Sequence, residues 1–402
     1  MATAGKEGRW QAVATVFAAF LKLGLTSFGG PIAHLGYFRE EFVVRRGWLT
    51  DEAYGDLVTL CQFLPGPASS QTGFAVGLVR GGLLGGVAAW AAFTLPSALL
   101  LVAVAFGASA VSGPWAEGLV HGLKLVAVAV VAQAIWGMAR TLTPDRQRAA
   151  IAFVGVAIVA FVGGVAAQIA AIAIGALSGL WLCRDGGVVA GGHARVPVGR
   201  RAGTVALTLF GVLLVVLPVV AGAIDNSALQ FFNNFYRSGA LVFGGGHVVL
   251  PLLQAVVVPQ WVSNAEFLTG YGLAQAVPGP LFTVAAYLGF IAAPAPGGTA
   301  GAVIALVAVF LPGLLLVYGV LPYWDALRRR AAAQAAMRGA NAAVVGILGA
   351  ALYDPVWTGA VAGPPDFALA LGGFLLLVVW KMPPWVVVVT LAAAGAAMQV
   401  AW

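Results

Sequence analysis

Long apolar runs separated by short polar loops dominate the chain. Predicted full membrane crossings are Leu84–Phe106, Gly118–Ala139, Ile151–Val162, Gly164–Cys183, Gly203–Ile224, Ala300–Leu321, Ala333–Leu352, Phe367–Trp380 and Trp385–Ala401. A helix needs about 20 mostly apolar residues to span a bilayer, so Ile151–Val162 and Phe367–Trp380 are short for this purpose. The pattern predicts an all-α polytopic membrane protein.

Other apolar runs are interrupted by glycine and proline and predict helical hairpins. The segment Ala53–Val79 lies between the basic loop of Arg39 to Arg46 and Arg80. Basic residues favour the cytoplasmic side, and a single crossing cannot place both ends on that side. A re-entrant hairpin with Pro65-Gly66-Pro67 at its tip satisfies both ends, whereas ordinary proline-kinked spans are the alternative. The same reasoning predicts a hairpin over Gln11–Phe42, with Gly29-Gly30-Pro31 at its tip.

The two parts of the chain repeat the same motifs. KLGLTSFGGP from Lys22 matches RSGALVFGGG from Arg237 at a spacing of 215 residues, and QFLPGP from Gln62 matches QAVPGP from Gln275 at a spacing of 213 residues. Trp48 and Trp261, and then Pro96 and Pro312, are matched in the same order. The order indicates a duplication, with a first half at 1–183, a linker and an extra helix at 184–226, and a second half at 227–402.

Loop charges predict that the halves have opposite orientations. The loop before the first Pro-Gly-Pro motif is basic, but its counterpart Gln254–Glu266 has no Lys or Arg. The loop Ser112–Glu117 has no basic residue, whereas its counterpart carries Arg328, Arg329 and Arg330. By the positive-inside rule, equivalent loops then lie on opposite sides of the membrane. An inverted-topology repeat is typical of secondary transporters.

Composition agrees with a membrane protein and excludes several classes. The 402 residues are 61% hydrophobic and 9% charged, whereas a soluble domain carries about 25% charged residues. The low fraction of charged residues excludes a soluble enzyme. A nucleic-acid-binding protein is also excluded, because the net charge of +7 comes mainly from loops between apolar runs. The expected environment is the lipid bilayer, and no nucleic-acid partner is expected.

Two basic residues occupy equivalent positions within the apolar hairpins, and they point to an anionic substrate. Lys22 and Arg237 each precede a Phe-Gly-Gly motif. Placing a cation at the centre of a membrane costs about 2.5–3.5 kcal/mol on the insertion scale. The presence of one at the equivalent position of each half therefore suggests a functional role. Two such cations facing one central site suit a dianion, whereas a snorkelling or structural pair is the alternative.

The glycine- and proline-rich tips are the expected substrate-binding elements. Glycine allows close backbone approach, and a helix that begins after a break presents free N–H groups and a positive dipole. The candidate substrate-binding residues are Lys22, Arg237, Thr26, Ser27, Gly29, Gly30, Gln62, Pro65, Gly66, Pro67, Ser69, Ser70, Gln71, Phe243, Gly244, Gly245, His247, Gln275, Pro278, Gly279, Pro280 and Thr283. Simple packing and kinking by the glycines and prolines is the alternative.

Other chemistry is sparse in the sequence. No paired carboxylates form a proton relay, and the cysteines and histidines have no metal-ligand spacing, so neither catalytic residues nor a cofactor or metal is expected. His34 and His247 lie close to the Gly-Gly tips and could titrate or donate to an anion, or simply pack as polar side chains. No GxxxxGK[ST] motif for nucleotide binding is present.

The motifs Phe28-Gly-Gly-Pro31 with downstream Trp48, and Gln62-Phe-Leu-Pro-Gly-Pro67, resemble the chromate ion transporter family in its two-domain form. The second half is similar, with Phe243-Gly-Gly and Gln275-Ala-Val-Pro-Gly-Pro280, but it has Gly246-His247 where the first half has Pro31-Ile32. The resemblance implies an inner-membrane protein of a bacterium or archaeon that exports chromate and confers resistance.

The residues and the resemblance together lead to the expectation of a secondary transporter for a dianion. A transporter of sulfate or another oxyanion is the alternative, and a membrane-embedded enzyme or scaffold is a third reading from another class. We expect a multi-pass protein of the plasma (inner) membrane with a cytoplasmic N-terminus and an external C-terminus. The sequence leaves the coupling ion and the oligomeric state open, a homodimer included.

Overall fold

The protein is described here by a computed structural model covering residues 8–108, 113–184, 197–243, 246–294 and 296–401. These residues form helices and connecting loops. The helices of the first half are α1 (Arg9–Thr26), α2 (Gly30–Arg39), α3 (Asp51–Phe63), α4 (Ala68–Ala108), α5 (Pro114–Leu142), α6 (Arg146–Val162) and α7 (Gly164–Leu182). A π-helical turn, Glu40–Arg45, extends α2.

The second half repeats this order after one additional helix, α8 (Arg200–Ala223). Its helices are α9 (Ser227–Ala240), α10 (Val249–Val257), α11 (Asn264–Ala276), α12 (Val284–Ile291), α13 (Gly298–Val320), α14 (Trp324–Leu327), α15 (Ala331–Ala351), α16 (Thr358–Ala360), α17 (Pro364–Val378) and α18 (Pro384–Ala401). The helices α9, α10, α11, α12 and α13 therefore correspond to α1, α2, α3 and the two parts of α4.

Polar side chains fix where several helices begin. Thr50, Asp145 and Asn226 each accept a hydrogen bond from a backbone N–H in the first turn of α3, α6 and α9. At α11, Ser263 and Glu266 form a reciprocal capping box. These caps satisfy N–H groups that the first turn of a helix leaves without partners. The caps at Thr50 and Ser263 set the start of α3 and α11, which lead into the two Pro-Gly-Pro motifs.

The predicted tips are breaks between helices. The chain leaves α1 after Thr26, and Gly29 and Gly30 have φ angles of 100° and 76°. In the Pro-Gly-Pro motifs, Gly66 and Gly279 have φ angles of 125° and 103°. Residues with a side chain rarely adopt this left-handed region, which glycine reaches without a steric cost. The glycines therefore allow each segment to reverse direction at its tip.

The segment from α3 to the first part of α4 follows the predicted hairpin path. The guanidinium carbons of Arg46 and Arg80 lie 5.2 and 5.5 Å from the centre of the Trp48 ring. The chain therefore leaves the Trp48 loop through α3 and returns to the same place at Arg80. The helix α4 then turns sharply at Gly81 and Gly82, whose φ and ψ angles are not helical.

The last helix of each half packs against a helix of the other half, through equivalent contacts between glycines. A Cβ added at Gly118 of α5 would lie 2.6 Å from the carbonyl oxygen of Gly395 in α18, and a Cβ at Gly175 of α7 would lie 2.7 Å from that of Gly339 in α15. Small residues allow helix backbones to approach this closely within a membrane. Each half therefore packs its last helix against the α5-equivalent of the other half.

Six helices in the described ranges are long and apolar enough to cross a membrane. They are Ala68–Gly107, Pro114–Leu142, Gly164–Leu182, Arg200–Ala223, Gly298–Leu327 and Ala331–Ala360. The helices α6 and α17 have only 17 and 15 residues, which agrees with the short runs found in the sequence. Only 11% of the apolar stretch of α8 is buried inside the protein. These features describe a multi-pass membrane protein with α8 at its periphery.

Candidate functional site

Reciprocal hydrogen bonds join the tips of opposite halves. The backbone N–H of Gly66 donates to the carbonyl oxygen of Val242 at 2.7 Å, and the N–H of Gly279 donates to the carbonyl oxygen of Ser27 at 2.9 Å. Gly66 and Gly279 are equivalent positions of the repeat, and so are Ser27 and Val242. Each Pro-Gly-Pro tip thus contacts the Phe-Gly-Gly segment of the other half in the same way.

The matched prolines of the repeat, Pro96 and Pro312, lie next to the residues that the Pro-Gly-Pro tips contact. A Cβ added at Gly279 would lie 2.8 Å from Ser97 Oγ, one residue after Pro96, and a Cβ at Gly66 would lie 3.1 Å from Gly313 Cα, one residue after Pro312. The Gln71 amide strengthens the second contact, since its Nε2 donates to the carbonyl oxygens of Pro65 and Gly313 at 2.9 and 3.0 Å. Each tip therefore also packs against the long helix of the other half.

The two Phe-Gly-Gly segments also meet each other. A Cβ added at Gly246 would lie 3.2 Å from Pro31 Cγ. Gly244 and Gly245, which the sequence also predicts as site residues, lie outside the described residues. We call this meeting place the tip junction and define it as residues 27–31, 64–67, 241–243, 246 and 277–280.

Several buried polar atoms in and beside the tip junction have no hydrogen-bond partner. Buried Ser27 Oγ, Ser70 Oγ, Gln71 Oε1 and Gln275 Nε2 have no hydrogen-bond partner, and all four residues are predicted site residues. Thr94 Oγ1 and Trp90 Nε1 of α4 are also unpaired, and the sequence did not single them out. A buried polar atom without a partner destabilises the fold by about 1–3 kcal/mol. These atoms are therefore available to form hydrogen bonds with a polar ligand or water.

The remaining predicted polar residues are already engaged or lie at the surface. Thr283 Oγ1 donates to the Pro280 carbonyl oxygen at 2.7 Å and is fully buried. Thr26 Oγ1 donates to the Lys22 carbonyl oxygen at 2.8 Å and is exposed, as is Gln62. Phe243 is half-buried. The tip junction therefore brings together the predicted backbone turns and only some of the predicted side chains.

The two histidines close to the Phe-Gly-Gly motifs have different partners. His34 is fully buried, with Nε2 3.2 Å from the Ser27 carbonyl oxygen and Nδ1 3.4 Å from Ser69 Oγ. His247 Nδ1 lies 2.8 Å from the Tyr271 hydroxyl. Ser69 belongs to the first turn of α4, directly after Pro67. In the first half, the histidine thus connects both tips, whereas His247 connects its segment to α11.

The two predicted cations differ in their surroundings. Lys22 Nζ lies 3.5 Å from Glu41 Oε2, and the Glu41 carboxylate also pairs with Arg45 and Arg46. The sequence did not predict this ion pair. Arg237 is half-buried in the last turn of α9 and has no ion-pair or hydrogen-bond partner for its side chain in the described part of the chain. The charge of Lys22 is therefore compensated locally, and that of Arg237 is not.

Outside the hairpins, Arg39 and Asp51 tie the loop between α2 and α3. The Arg39 guanidinium donates two hydrogen bonds of 2.7 Å to the Asp51 carboxylate. These hydrogen bonds hold the pKa of the Asp51 carboxyl below its usual range, and the pair stays ionised at neutral pH. Within this loop, Arg45 and Arg46 share the Glu41 carboxylate with Lys22.

Comparison with known proteins assigns this architecture. The sequence profile described as "Chromate transporter" matches residues 14–180 and again residues 229–396, which include both halves of the tip junction. The chain belongs to the chromate transporter family. The double match also agrees with the repeat read from the sequence. No solved structure gives a significant match.

Curated relatives extend the similarity over most of the chain. A chromate transport protein of Pseudomonas aeruginosa is 29% identical over 94% of this chain and 90% of its own length. A probable chromate transport protein of Synechococcus elongatus is 28% identical over 94% of this chain and 93% of its own length. A chromate transport protein of Cupriavidus metallidurans is 27% identical, covering 82% of this chain and 79% of its own length.

A buried ion pair joins the halves of this chromate transporter family member away from the tips. Asp56 Oδ1 in α3 accepts hydrogen bonds from Arg328 Nη1 at 2.9 Å and from Trp324 Nε1 at 3.0 Å. Both charged side chains are only 5% exposed. The sequence alone does not identify Arg328 as the partner of Asp56. The pair connects α3, which leads to the first Pro-Gly-Pro tip, to the end of α14.

The chain also has a cavity outside the tip junction. Its volume is about 490 Å³, and its lining comes from the α6–α7 turn, α10, the start of α11 and the segment after α15. Gln168 and Gln254 line it, and each has a buried Oε1 atom without a partner. None of the predicted site residues lines this cavity.

Proposed function

We propose that this protein exports chromate, as the dianion, through the tip junction. One observation carries the proposal: the reciprocal Gly66–Val242 and Gly279–Ser27 hydrogen bonds bring the broken helices of both halves to one place. Irregular backbone at membrane depth is tolerated where it is buried in protein or lines a polar path. In transporters with inverted repeats, substrate sites lie at the interface between the repeats, among broken helices.

The chemistry of the junction fits a tetrahedral oxyanion. The unpaired Ser27 and Ser70 hydroxyls and the Gln275 amide supply side-chain donors. The first turn of α4, which follows Pro67, supplies backbone N–H groups at a positive helix end. We therefore assign substrate contacts to these residues, with Gly29 and Gly30 allowing close approach of the backbone.

Two groups of cations would compensate the charge of a dianion. Arg237 is half-buried and has no acidic partner in the described residues. Lys22 belongs to a cluster in which Lys22, Arg45 and Arg46 surround one carboxylate, Glu41. The cluster keeps a net positive charge, and it would attract an oxyanion towards the junction. We propose that Lys22 and Arg237 contribute one charge from each half.

The membrane potential favours export of such a substrate. Moving one charge through 100 mV changes the free energy by about 2.3 kcal/mol, so an exported dianion gains about 4.6 kcal/mol at that potential. Export driven by the membrane potential alone, without a coupling ion, is therefore energetically possible. The proposed location is the inner membrane, with a cytoplasmic N-terminus and an external C-terminus. The proposed physiological result is chromate resistance, through transport and not through catalysis.

The test is flux measured in everted inner-membrane vesicles. Labelled chromate and labelled sulfate are supplied separately, with and without an imposed potential that is positive inside the vesicle. The proposal expects potential-dependent chromate uptake that exceeds the uptake in vesicles lacking the protein. Sulfate has the same charge and shape, and uptake of sulfate with no uptake of chromate would contradict the proposal. Absence of both fluxes would reject an oxyanion transporter of this kind.

A further inference from the structure

The carbonyl group of Ser27 carries two hydrogen bonds at once. Gly279 of the second half donates its N–H at 2.9 Å, and the ring Nε2 of His34 lies 3.2 Å away in the first half. A carbonyl oxygen has two lone pairs, so both are occupied. The Ser27 N–H donates to the Leu23 carbonyl oxygen at 2.8 Å. Among the hydrogen-bonding atoms of Ser27, the buried hydroxyl alone is unpaired.

The tautomer of His34 follows from these partners. A carbonyl can only accept, so Nε2 carries the proton, and Nδ1 accepts a hydrogen bond from the Ser69 hydroxyl at 3.4 Å. The ring also packs edge-on against Phe93, with the ring centres 5.2 Å apart. Both ring nitrogens are thus occupied by protein groups. The imidazole is arranged to hold the backbone and not to bind a substrate.

The second half lacks this arrangement at the equivalent positions. The Val242 carbonyl oxygen accepts the Gly66 N–H, and His247 turns instead to the Tyr271 hydroxyl. Val242 also has no side-chain hydroxyl. The second half therefore has a histidine close to its Phe-Gly-Gly motif, but without this contact to the backbone. This difference indicates a role for His34 that is specific to the first half.

We infer that His34 is a positioning residue, which locks the Ser27 carbonyl onto Gly279 and so directs the free Ser27 hydroxyl to the substrate. The inference rests on the proposed function of the tip junction. By fixing one peptide group, His34 links the contact between the halves to the geometry of a substrate ligand. It also joins the two tips of the first half, because its other nitrogen is held by Ser69.

Two substitutions separate the two nitrogens of His34. In His34→Gln the amide nitrogen can take the place of Nε2 and donate to Ser27, whereas in His34→Asn the shorter amide reaches only the position of Nδ1. We expect His34→Gln to keep at least half of the chromate flux. We expect His34→Asn to raise the KM for chromate at least tenfold. Equal behaviour of the two variants, in either direction, would overturn the inference.

Amide hydrogen exchange provides a readout that does not need transport. The Gly279 N–H should exchange at least fivefold faster in His34→Asn than in the wild type, and at an unchanged rate in His34→Gln. Ser69→Ala is a milder variant that releases only the ring anchor, and it should accelerate Gly279 exchange at least twofold. Unchanged exchange in both His34→Asn and Ser69→Ala would refute the positioning role. Failure of the proposed function is distinct, since wild-type vesicles would then show no chromate flux.

Discussion

The backbone N–H of Gly279 donates a 2.9 Å hydrogen bond to the carbonyl oxygen of Ser27, although the two residues belong to opposite halves of the chain. The same bond recurs between Gly66 and Val242. A displacement of one tip therefore changes a contact of the other half. In a transporter that rocks one repeat against the other, these two bonds lie at the surface along which the repeats would move.

A side chain at either Pro-Gly-Pro glycine should disrupt the junction. Gly279→Ala and Gly66→Ala each place a Cβ on a backbone with φ above 100° and within 2.8 Å of a neighbouring polar atom. The backbone strain alone costs about 1–3 kcal/mol, and the overlap adds to it. We expect at least a tenfold loss of chromate flux per inserted molecule, measured in vesicles.

Gly298→Ala is the matched control for this pair of variants. Gly298 also has a positive φ, 63°, but a Cβ there meets nothing within 4 Å. An alanine there takes a positive φ without the overlap, so flux should remain near the wild-type rate. If Gly298→Ala loses as much flux as Gly279→Ala, the effect comes from backbone strain in general and not from the junction.

Removal of the uncompensated cation should weaken substrate binding strongly. Arg237→Gln would leave part of the dianion's charge unbalanced in a low-dielectric site, a penalty of several kcal/mol. At about 1.4 kcal/mol per tenfold, we expect at least a hundredfold loss of apparent affinity for chromate. Arg237→Lys keeps the charge and changes only the donor geometry, so its loss should be smaller. Near wild-type transport by Arg237→Gln would make this cation structural.

A double substitution distinguishes the two roles open to Lys22. We expect Lys22→Gln to lower chromate flux as Arg237→Gln does. If Lys22 served only to balance Glu41, the double variant Lys22→Gln/Glu41→Gln would recover transport, because Lys22 and Glu41 form an ion pair. If Lys22 supplies charge to the substrate, as we propose, the double variant stays impaired. Flux normalised to inserted protein gives the answer.

The buried ion pair between the halves should contribute more to stability than its exposed counterpart. Arg328→Gln leaves the Asp56 carboxylate with Trp324 Nε1 as its hydrogen-bond donor, and loss of one partner of a buried pair costs about 3–5 kcal/mol. Asp56→Asn should be milder, since Arg328 Nη2 keeps Asp325 at 2.6 Å. Thermal unfolding of the purified protein in detergent measures both.

Arg39→Gln provides the comparison for the ion-pair experiment. Arg39 pairs with Asp51 at the surface, where ion pairs are screened by solvent and salt. We expect little change in its unfolding temperature. A similar shift in Arg39→Gln and Arg328→Gln would show that burial of the pair between the halves carries no special weight.

Reporter fusions test the orientation of the halves. The reversed loop charges predict that Arg201 is cytoplasmic, whereas Asp225 and Trp402 are external. A reporter that is active only in the cytoplasm should therefore be active when fused after Arg201 and inactive when fused after Trp402. A periplasmic reporter should give the reverse result. The same side for both fusions would contradict the inverted repeat.

The sequence predicted the elements of the junction because they depend on local chemistry. Gly66 and Gly279 lie at breaks between helices, as their motifs predict, and the repeat was visible as matched motifs at nearly constant spacing. The return of the chain at Arg80 followed from charge alone. Even Ser27, Ser70, Gln71 and Gln275 could be selected, because polar residues beside a break are rare in an otherwise apolar chain.

The partners of these residues could not be predicted, because they depend on how the halves cross. Nothing in the spacing of Ser27 and Gly279 indicates that they meet. Glu41 was missed because the π-helical turn Glu40–Arg45 extends α2 and brings its carboxylate to Lys22. Trp90 and Thr94 lie within an apolar helix, and their unpaired atoms become evident only when the packing around them is known.

The packing of the last helix of each half against the other half has a consequence for biogenesis. Gly118 and Gly122 of α5 pack against Gly395 of α18, which the ribosome synthesises 277 residues after Gly118. At about 5–20 residues per second, this surface of α5 waits on the order of 10–50 s for its partner. During that interval, lipid or a chaperone must cover it. A chain arrested after its first half would therefore present degradation machinery with an unfinished surface.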